Sequence, residues 1–339
     1  MICERSSALL SGDLISLGNI LKVCDMETIM LGAHLHRAAI VSDYIGDSIF
    51  CHFETDFSFH GRFVIPPQWC VMGCVHRTLK ASGCSGMPIC SDTAFTVMPA
   101  GTSEFILGPG SRVTLVLMPL QRLQRKFAQL VHPELEVPAR LLGLFTLAGT
   151  VLGVSLRLGY ESMRERVARE HAPGKPAEDM EIALDRLLEN HLLAGLSAPA
   201  DDRPHSSRGR RAHYQIVQRA EQYMRENMRR VIYLDEMCNA AGVSERALRY
   251  AFDDVYGVSP NRYLCMLRLC TAFRALVFAD ASRRSVKSVA LSCGLWDLSR
   301  FAESYRQMFG ELPRDTLMRE PPADMAPAFE SRNASATRH

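Results

Sequence analysis

The sequence predicts a multidomain protein of the α+β class, with a β-rich N-terminal part and an all-helical C-terminal part. Three observations carry this prediction. Short runs of β-forming residues separated by turn residues fill residues 34–119, a helical pattern follows to residue 194, and two pairs of short helices flank one long helix after residue 212. The expected division is therefore a β-rich domain at 1–119, a helical region at 120–194, a flexible linker at 195–211, an all-α domain at 212–319 and a disordered tail at 320–339.

The N-terminal domain begins with residues 1–30, which combine a polar start with a weakly helical stretch. Candidate strands follow, and Pro66-Pro67 and Gly108-Pro109-Gly110 are among the turn signals between them. The strands are predicted at Arg37–Tyr44, Ser48–Glu54, Ser58–Ile65, Trp69–Leu79, Ala94–Met98, Glu104–Leu107 and Val113–Met118. Short strands at this spacing favour a small barrel or sandwich.

A ligand site in this domain is one interpretation of its histidines, because the mouth of a barrel commonly holds ligands. The side chains that could face such a cavity are His52, His60, Trp69 and His76. For each of them, a place on the surface or in the core is the stronger expectation. His34 and His36 form the start of a metal-ligand pattern, but no partner set of His and Glu follows. We therefore predict no catalysis, no metal and no cofactor.

The cysteines bear on compartment and on metal binding. The chain has 11 of them, and its first ten residues include Glu4 and Arg5 and no apolar core segment. We therefore expect no secretory signal and a cytoplasmic protein with reduced thiols. The one cluster of cysteines consists of Cys70, Cys74, Cys84 and Cys90. Its spacings match zinc patterns poorly, which favours buried small apolar residues over a metal or redox site.

The middle of the chain predicts helices from Leu120 to about Glu170 and from Ala177 to Leu193. The apolar run Leu141–Leu156 is short for a membrane span and has an arginine at each end, which indicates a buried helix. Its apolar face is either a dimer surface or a surface packed against the β-rich domain. The sequence favours neither of these two interpretations.

Charge is distributed unevenly between the two halves. Residues 205–320 hold 19 Lys and Arg against 13 Asp and Glu, a net charge of +6, whereas the remainder holds 20 against 24, a net charge of −4. This asymmetry is typical of a DNA-binding part joined to a part that does not touch DNA. The predicted linker contributes Arg208, Arg210 and Arg211, which either approach a DNA backbone or are simply solvated.

The first pair of short helices is predicted at residues 234–255. Leu234 and Ala241 lie on the apolar face of its first helix, and Gly242 marks the turn because glycine adopts left-handed backbone angles at little cost. Ser244 is a good N-cap for the second helix. The polar outer face of that helix consists of Glu245, Arg246, Arg249 and Tyr250.

The second pair repeats this plan at residues 285–309. Ser285 caps a short helix, Gly294 marks the turn, and a helix from about Asp297 buries Phe301. The polar outer face of this helix, together with the residues just before it, comprises Trp296, Asp297, Ser299, Arg300, Glu303, Ser304 and Arg306. For one such pair alone, an ordinary helical hairpin is as good an interpretation as a DNA-binding helix-turn-helix.

One long helix connects the two pairs. Ser259 at the N-cap and Pro260 at the first helical position are a strong start signal, and the helix is predicted to reach about residue 279. A helix of about 20 residues spans roughly 30 Å, close to the roughly 34 Å between successive major-groove faces of B-DNA. A rod of this length would place two helix-turn-helix units on one face of a duplex.

Two spaced patterns occur in this region. The long helix contains P-x-x-Y-L-x-x-x-R-L-x-x-A-x-x-x-L, and the second pair contains V-A-x-x-x-G, S-x-F, an aromatic residue and G-x-x-P. Their residues are Pro260, Tyr263, Leu264, Arg268, Leu269, Ala272, Leu276, Val289, Ala290, Gly294, Ser299, Phe301, Tyr305, Gly310 and Pro313. Residues 213–319 thereby resemble the DNA-binding domain of AraC/XylS regulators. The ethanolamine-operon type is most similar, through Cys238 and Gly294-Leu295-Trp296.

The resemblance implies a sequence-specific transcription regulator, more often an activator than a repressor, with a cupin-like sensor domain at its N-terminus. It implies double-stranded DNA and RNA polymerase as partners, no enzymatic activity and no membrane, and a location at the nucleoid when bound. A small-molecule effector and a homodimer are further candidates. The alternatives are an effector-independent DNA-binding regulator and, in a different class, a metal-dependent or ligand-binding barrel protein with an appended helical domain.

The predicted DNA-binding residues are Ser244 and the two polar faces named above. The best candidates for bidentate contacts to guanine are Arg246, Arg249 and Arg300. Phosphate contacts are expected from Ser244, Ser299, Ser304 and Arg306, and packing is expected of Trp296. Many family members carry other residues where this chain has Tyr250 and Glu303, so the contacts of typical members do not transfer to those two positions.

Overall fold

The fold is built from four layers: helices, a seven-stranded sheet, a five-stranded sheet, and the helices of the C-terminal part. The structure is a computed structural model. The structure describes residues 7–10, 24–32, 37–79, 82–97, 102–131, 143–147, 150–169, 178–198 and 208–319. The His34–His36 pair, residues 199–207 of the predicted linker and the predicted tail at 320–339 lie outside the described residues.

Two antiparallel sheets make up the β-rich domain. The described strands are β1 (Ser7–Leu10), β2 (Asp25–Met30), β3 (Arg37–Ile45), β4 (Ser48–Thr55), β5 (Phe59–Val64), β6 (Trp69–Arg77), β7 (Ser82–Cys84), β8 (Met87–Ile89), β9 (Thr93–Val97), β10 (Thr102–Leu107), β11 (Ser111–Pro119) and β12 (Gly143–Thr146). The seven-stranded sheet has the order β1-β3-β4-β11-β6-β9-β12, and the five-stranded sheet has the order β2-β5-β10-β7-β8. The seven predicted strands are confirmed, within one or two residues at each end.

Three helices cover the outer face of the seven-stranded sheet: α1 (Leu120–Leu130), α2 (Val151–Arg169) and α3 (Glu178–Ser197). Alternation along β11 directs Val116 and Met118 into the same apolar cluster as Leu156 and Leu184 of these helices. Arg122 on α1 donates hydrogen bonds to Asp47 at 2.8 Å and to Asp185 at 2.7 Å, which ties this helix to the sheet and to α3. None of the helices in the described part of the chain is long and apolar enough to span a membrane.

An apolar cavity of about 50 Å³ lies between the two sheets. Strand residues that alternate with those facing the helices line it, for example Val113 and Leu117 on β11 and Phe59 and Phe63 on β5. Its lining also includes Cys24, Met26, Phe53, Gly61, Val71, Phe95, Phe105, Leu107 and Leu115. The surface of this cavity is therefore almost entirely hydrocarbon, aromatic ring or sulfur.

Residues 208–319 form seven helices: α4 (Arg208–Glu226), α5 (Leu234–Ala241), α6 (Glu245–Tyr256), α7 (Pro260–Val277), α8 (Val286–Ser292), α9 (Leu298–Phe309) and α10 (Pro313–Met318). Helix α7 is central, and ten of its residues are buried. The two predicted short-helix pairs and the long helix between them are confirmed. The long helix ends two residues earlier than predicted, at Val277.

Three predictions of secondary structure are wrong. Gly143–Thr146, predicted as the start of a helix, is strand β12, because its backbone pairs with β9 at the edge of the larger sheet. Asp25–Met30, in the stretch predicted as weakly helical, is strand β2 and pairs with β5. Helix α4 begins at Arg208, inside the predicted linker, where Arg210 donates a hydrogen bond to the carbonyl of Ser82 at 3.3 Å.

Candidate nucleic-acid interface

The first helix-turn-helix unit consists of α5, a glycine turn and α6. Gly242 ends α5 with a left-handed φ of +67°, which explains why glycine stands there. Ser244 has extended backbone angles, and its hydroxyl accepts a hydrogen bond from the Ala247 amide at 3.4 Å. Leu248 and Phe252 are buried on the inner face of α6. The local signals in the sequence therefore set both the turn and the face that α6 presents outward.

The outer face of α6 brings together four predicted DNA-binding residues. Glu245, Arg246, Arg249 and Tyr250 are all exposed. The Arg249 Nε atom donates a hydrogen bond to Glu245 Oε1 at 2.8 Å, so this arginine already has a carboxylate partner one turn away. Arg246 therefore offers the more available guanidinium on this face.

The ring of Tyr250 makes a contact that the sequence did not predict. Its side chain is 66% exposed, and its ring lies 5.3 Å from the ring of His213 on α4, edge to face. His213 Nδ1 is 2.8 Å from a carboxylate oxygen of Asp254, one turn further along α6. Because the contact links residues of two helices far apart in sequence, no local pattern could have indicated it.

The second unit depends on the glycine between α8 and α9. Gly294 has a φ of +73°, and a Cβ atom there would lie 2.1 Å from the Met228 carbonyl oxygen and 3.0 Å from Arg268 Nε. Arg268, on α7, donates hydrogen bonds to the carbonyls of Met228 at 3.0 Å and Arg230 at 2.6 Å. The turn of the second unit thus sits directly on the segment that joins α4 to α5, where only glycine fits.

The outer face of α9 carries the second set of predicted DNA-binding residues. Phe301 and Tyr305 are buried, so the opposite side of the helix points outward. Ser299, Arg300, Glu303 and Arg306 are exposed there, and Ser304 is half-buried. Trp296 is 55% exposed, so the expectation that it packs is wrong.

The residue that begins α9 already has a structural partner. Asp297 is exposed, but its carboxylate accepts a hydrogen bond from the Arg300 amide at 3.0 Å and caps the helix. This contact uses one carboxylate oxygen at the start of the helix, where a negative charge is also favoured by the helix dipole. The structure therefore gives Asp297 a role in forming α9, whether or not it also faces DNA.

Helix α7 holds the two units through aromatic contacts near its ends. Tyr263 stacks on Tyr256 of α6 with ring centroids 4.4 Å apart. Phe273 contacts Phe309 of α9 at 4.6 Å and Tyr305 at 6.0 Å. With 18 residues, α7 is about 27 Å long at 1.5 Å per residue. One rigid element therefore connects both exposed faces.

The sequence analysis did not single out several exposed cations of the C-terminal helices and their connections. Arg229, Arg262, Arg284 and Lys287 are exposed. Burial raises the pKa of the Cys265 thiol on α7, while the charges of Arg300, Arg268 and Arg262 oppose that shift, so these three arginines lie near this cysteine. The net charge of +6 indicated a cationic surface, but only the fold shows which of its cations are exposed and that Arg262 lies in the neighbourhood of Arg300.

The candidate ligand and metal residues of the β-rich domain do not meet in the apolar cavity, although His52 and His76 both contact the Thr114 hydroxyl. His52, His60, Trp69 and His76 are absent from the described lining of the apolar cavity. Cys70, Cys74 and Cys84 are buried and Cys90 is exposed. Cys70 and Cys74 lie in the cluster beneath the helices, whereas Cys84 lies in the other apolar cluster. Within the described ranges, no group of three or more His, Cys, Asp or Glu is placed to hold a metal ion.

Comparisons with known proteins match the C-terminal part. A family model described as "Helix-turn-helix domain" matches residues 237–319. The XylDLEGF operon transcriptional activator of Pseudomonas putida is 38% identical over 100 residues, which are 30% of this chain and 31% of that protein. The HTH-type transcriptional regulator GbdR of Pseudomonas aeruginosa is 35% identical over 98 residues, 29% of this chain and 26% of that protein. The chain thus matches only about a third of the length of these relatives.

Solved structures also match this region. A probable AraC family transcriptional regulator from Rhodopseudomonas palustris CGA009 is 36% identical to this chain, with a TM-score of 0.29, and the match covers 32% of this chain and 98% of that one. The motifs, the two helix-turn-helix units and the related activators concern the same segment. Residues 237–319 are therefore a helix-turn-helix domain of the AraC/XylS type.

Proposed function

We propose that this chain is a sequence-specific DNA-binding transcription activator that uses α6 and α9 as its two recognition helices. The observation that carries the proposal is the pair of exposed, arginine-bearing helix faces attached to one helix, α7. A recognition helix enters the major groove and contacts base edges with a few side chains. Two such helices on one rod would contact adjacent major-groove segments on the same side of a duplex.

The proposed role of each side chain depends on whether it is exposed and free of other partners, and so can contact DNA. Arg246 and Arg300 are exposed on the two faces and are assigned bidentate contacts to guanine, with Arg249 released from Glu245 to join them. Ser299, Ser304 and Arg306 are assigned to phosphates, which fix the position of the helix without reading sequence. Ser244 keeps its capping bond and approaches the DNA backbone from the start of α6.

Tyr250, Trp296, Asp297, Glu245 and Glu303 complete the predicted set. The exposed rings of Tyr250 and Trp296 are suited to apolar contact with a thymine methyl group. Carboxylates repel phosphates, so Glu245, Asp297 and Glu303 are not assigned to the DNA backbone. They are assigned to discrimination between bases, in which an acidic side chain accepts a hydrogen bond from a cytosine amino group.

The base-contact assignment is tested with DNA selected from a random pool by the full chain. Arg300→Ala should weaken binding to the selected DNA by about 1–3 kcal/mol and change the preferred base, with much less effect on random DNA. Arg306→Ala should weaken both about equally, because a phosphate contact carries no sequence information. Arg186→Ala, an exposed arginine on α3, is the control. Equal losses for Arg300→Ala on selected and random DNA would contradict its base-reading role.

Activation and RNA polymerase as a partner are proposed from the related activators. The proposal is tested by run-off transcription from a promoter that carries the selected DNA. Added protein should raise transcript yield above that of polymerase alone. Unchanged yield with a fully occupied site would contradict activation, and lower yield would indicate a repressor.

A small-molecule effector is proposed for the apolar cavity between the sheets. The lining offers hydrocarbon, rings and sulfur, so the effector would be apolar. The cavity of about 50 Å³ is small beside ligand pockets of roughly 300–1,000 Å³, so an effector must separate the sheets to enter. Thermal unfolding in the presence of a panel of aliphatic and aromatic acids should show stabilisation by some of them. A panel without effect, together with unchanged DNA binding, would favour the effector-independent alternative.

A homodimer is proposed through the exposed apolar side of α2. Val151, Val154 and Leu158 are 86%, 47% and 55% exposed, and their spacing places them along one side of the helix. A second copy of the same helix could cover them symmetrically, as in most homodimers. Sedimentation equilibrium of Leu158→Glu should show weaker self-association than that of Gln124→Glu, which places a carboxylate at an exposed position of α1. A wild-type chain that is monomeric at high micromolar concentration would contradict the proposal.

A further inference from the structure

Tyr250 is a large side chain on the outer face of α6, and the helix alone does not fix its direction. It is 66% exposed, and its hydroxyl has no hydrogen-bond partner among the residues that the structure describes. Long side chains on a helix use two χ1 rotamers, at about 180° and about −60°. A tyrosine that alternates between them would reach two different places on a DNA surface. A defined contact with one base therefore requires a second element that selects one rotamer.

Helix α4 supplies such an element near its start. The imidazole ring of His213 lies 5.3 Å from the Tyr250 ring, and the two ring planes are inclined at 71°. Aromatic pairs favour this edge-to-face arrangement at centroid separations of about 4.5–7 Å, because the positive edge of one ring meets the negative face of the other. The contact fills one side of the Tyr250 ring. It therefore favours the rotamer in which the tyrosine leans against α4.

The ring of His213 is itself held in place by Asp254. Its Nδ1 atom lies 2.8 Å from the Oδ2 atom of Asp254. A carboxylate is an acceptor, so Nδ1 carries the hydrogen and donates it. Asp254 follows Tyr250 by four residues, which places both side chains on the same side of α6. One imidazole ring thus bridges two positions of α6, and the bond to Asp254 sets the orientation in which the ring meets Tyr250.

The packing of α4 against α6 does not depend on this bridge. Val217 and Ala220 on α4 belong to the same buried apolar cluster as Phe252 on α6. By contrast, the side chains of His213 and Asp254 are 25% and 38% exposed. Exposed pairs of this kind contribute little to stability, because water screens them. Loss of the imidazole therefore leaves the two helices in place and changes the freedom of the Tyr250 ring.

The chemistry of the Tyr250 ring indicates which base it would contact. Thymine presents a C5-methyl group in the major groove, and apolar side chains recognise thymine through that group. Arg246 and Arg249 stand beside Tyr250 on the same exposed face and offer hydrogen-bond donors instead. A side chain that is ordered before binding avoids the entropy cost of ordering on the DNA. A tyrosine held in one rotamer therefore gives α6 a rigid apolar contact between two arginines.

We propose that His213 is a positioning residue for DNA reading: tethered to Asp254, it holds the Tyr250 ring in one rotamer, in which the ring contacts the methyl group of a thymine in the segment read by α6. A residue of α4, outside the helix-turn-helix unit, thereby sets the preference for one base. The contact with thymine rests on the proposed function of α6. The placement of the Tyr250 ring in the free protein does not.

The thymine contact is tested by replacing each thymine of the selected DNA in turn with deoxyuridine, which removes only the methyl group. The wild-type full chain should lose affinity about fourfold at one thymine, the effect of exposing one methyl group. Tyr250→Ala should abolish this loss, and His213→Ala should abolish most of it. Gln215→Ala, at an exposed position of α4, is the control and should keep it. A wild type that is insensitive at every thymine, or a full loss in His213→Ala, would overturn the proposal.

Two further variants separate the ring of His213 from its tether. His213→Phe keeps a ring beside Tyr250 but has no hydrogen to donate to Asp254. His213→Asn keeps an N–H donor for Asp254 but has no ring. Because the ring makes the contact with Tyr250, His213→Phe should retain more of the preference for thymine over deoxyuridine than His213→Asn. Equal preferences in the two variants, or the reverse order, would overturn the role assigned to the ring.

A second readout needs no DNA and so stands apart from the proposed function. The full chain is labelled with 3-fluorotyrosine, and the fluorine resonance of Tyr250 is identified by its loss in Tyr250→Phe. In His213→Ala this resonance should move toward that of free fluorotyrosine, whereas Gln215→Ala should leave it in place. An unmoved resonance in His213→Ala would overturn the positioning role. Failure of the wild type to bind any selected DNA would sink the proposed function but leave this test intact. His213→Asn replaces His213→Ala if the alanine variant loses the thermal transition of the wild type.

Discussion

Acid should destabilise the N-terminal domain well above the pH at which carboxylates titrate, because burial lowers the pKa of three of its histidines. His52 Nδ1 and His76 Nε2 each lie 2.8 Å from the Thr114 hydroxyl. His191 lies 2.8 Å from the Thr96 hydroxyl and 3.0 Å from the Tyr160 hydroxyl. Burial lowers the pKa of His52 to about 4 and the pKa values of His76 and His191 to about 3. All three are therefore neutral in the folded protein near pH 7.

The sign of the effect follows from proton uptake. In the unfolded chain a histidine has a pKa of 6.5, so unfolding at pH 5 binds almost one proton for each of these three histidines. Stability is therefore highest above pH 6.5 and falls as the pH drops toward the folded pKa values. Between pH 7 and pH 5 each histidine accounts for a loss of about 2 kcal/mol, and three independent histidines for about 5–6 kcal/mol. This is a large part of a typical domain stability of about 5–15 kcal/mol.

The assay is urea unfolding of the full chain at pH 7 and pH 5, followed by tryptophan fluorescence. Trp296→Phe leaves Trp69 on β6 as the reporter of the N-terminal domain, because the chain contains two tryptophans. His191→Gln removes one titrating ring and should reduce the loss between the two pH values by about 2 kcal/mol. Asn190→Gln, the neighbouring residue, should leave the loss unchanged. Equal losses in the His191→Gln variant and the parent would refute the reasoning.

Three further predictions concern the C-terminal domain. Gly294→Ala should abolish the thermal transition of this domain, because the added methyl group would meet the Met228 carbonyl; a normal transition would show that the turn can move aside. Ser259→Ala should cost about 1 kcal/mol in urea unfolding, because the hydroxyl caps α7 through the Arg262 amide, whereas Ser282→Ala, outside the helices, serves as its control. Phe301→Ala should cost about 3–5 kcal/mol, because its ring is 3% exposed, and a loss below about 1 kcal/mol would contradict the packing of α9.

The C-terminal domain could be predicted because its signals are local. Ser244, Ser259 and Ser285 each stand at the start of a helix, and each hydroxyl accepts the expected hydrogen bond from a backbone amide. Gly242 and Gly294 both have left-handed backbone angles at the predicted turns. Helix ends and turns depend on residues within one or two turns of the chain, which is the range that a sequence pattern covers.

The edges of the β-rich domain could not be predicted, because strand formation there depends on distant partners. Gly143–Thr146 lies within an apolar run that fits a helix equally well, and pairing with Thr93–Thr96 of β9 decides the outcome. Asp25–Met30 mixes charged and apolar residues, and it becomes a strand through its register with β5. Neither partner is indicated by the residues of the strand itself.

The interface between the β-rich domain and helix α4 of the C-terminal part could also not be predicted from the sequence. The stripe of Arg210, Tyr214, Gln218, Glu221 and Arg225 has helical spacing, but polar residues at that spacing usually mark a solvated helix face. Contacts with His60 and Glu104 explain why this stripe is partly or fully covered, and these two residues lie more than 100 residues earlier in the chain. Contacts between charged groups from segments far apart in the chain produce no periodic pattern in the sequence.

The two-helix account of DNA recognition is tested most directly by hydroxyl-radical footprinting of the full chain on its selected DNA. Wild-type protein should protect two patches on one face of the duplex, about 10 base pairs apart. Arg246→Ala should weaken protection mainly at one patch, and Arg300→Ala mainly at the other. A single protected patch, or two patches on opposite faces of the duplex, would contradict recognition by α6 and α9 held on α7.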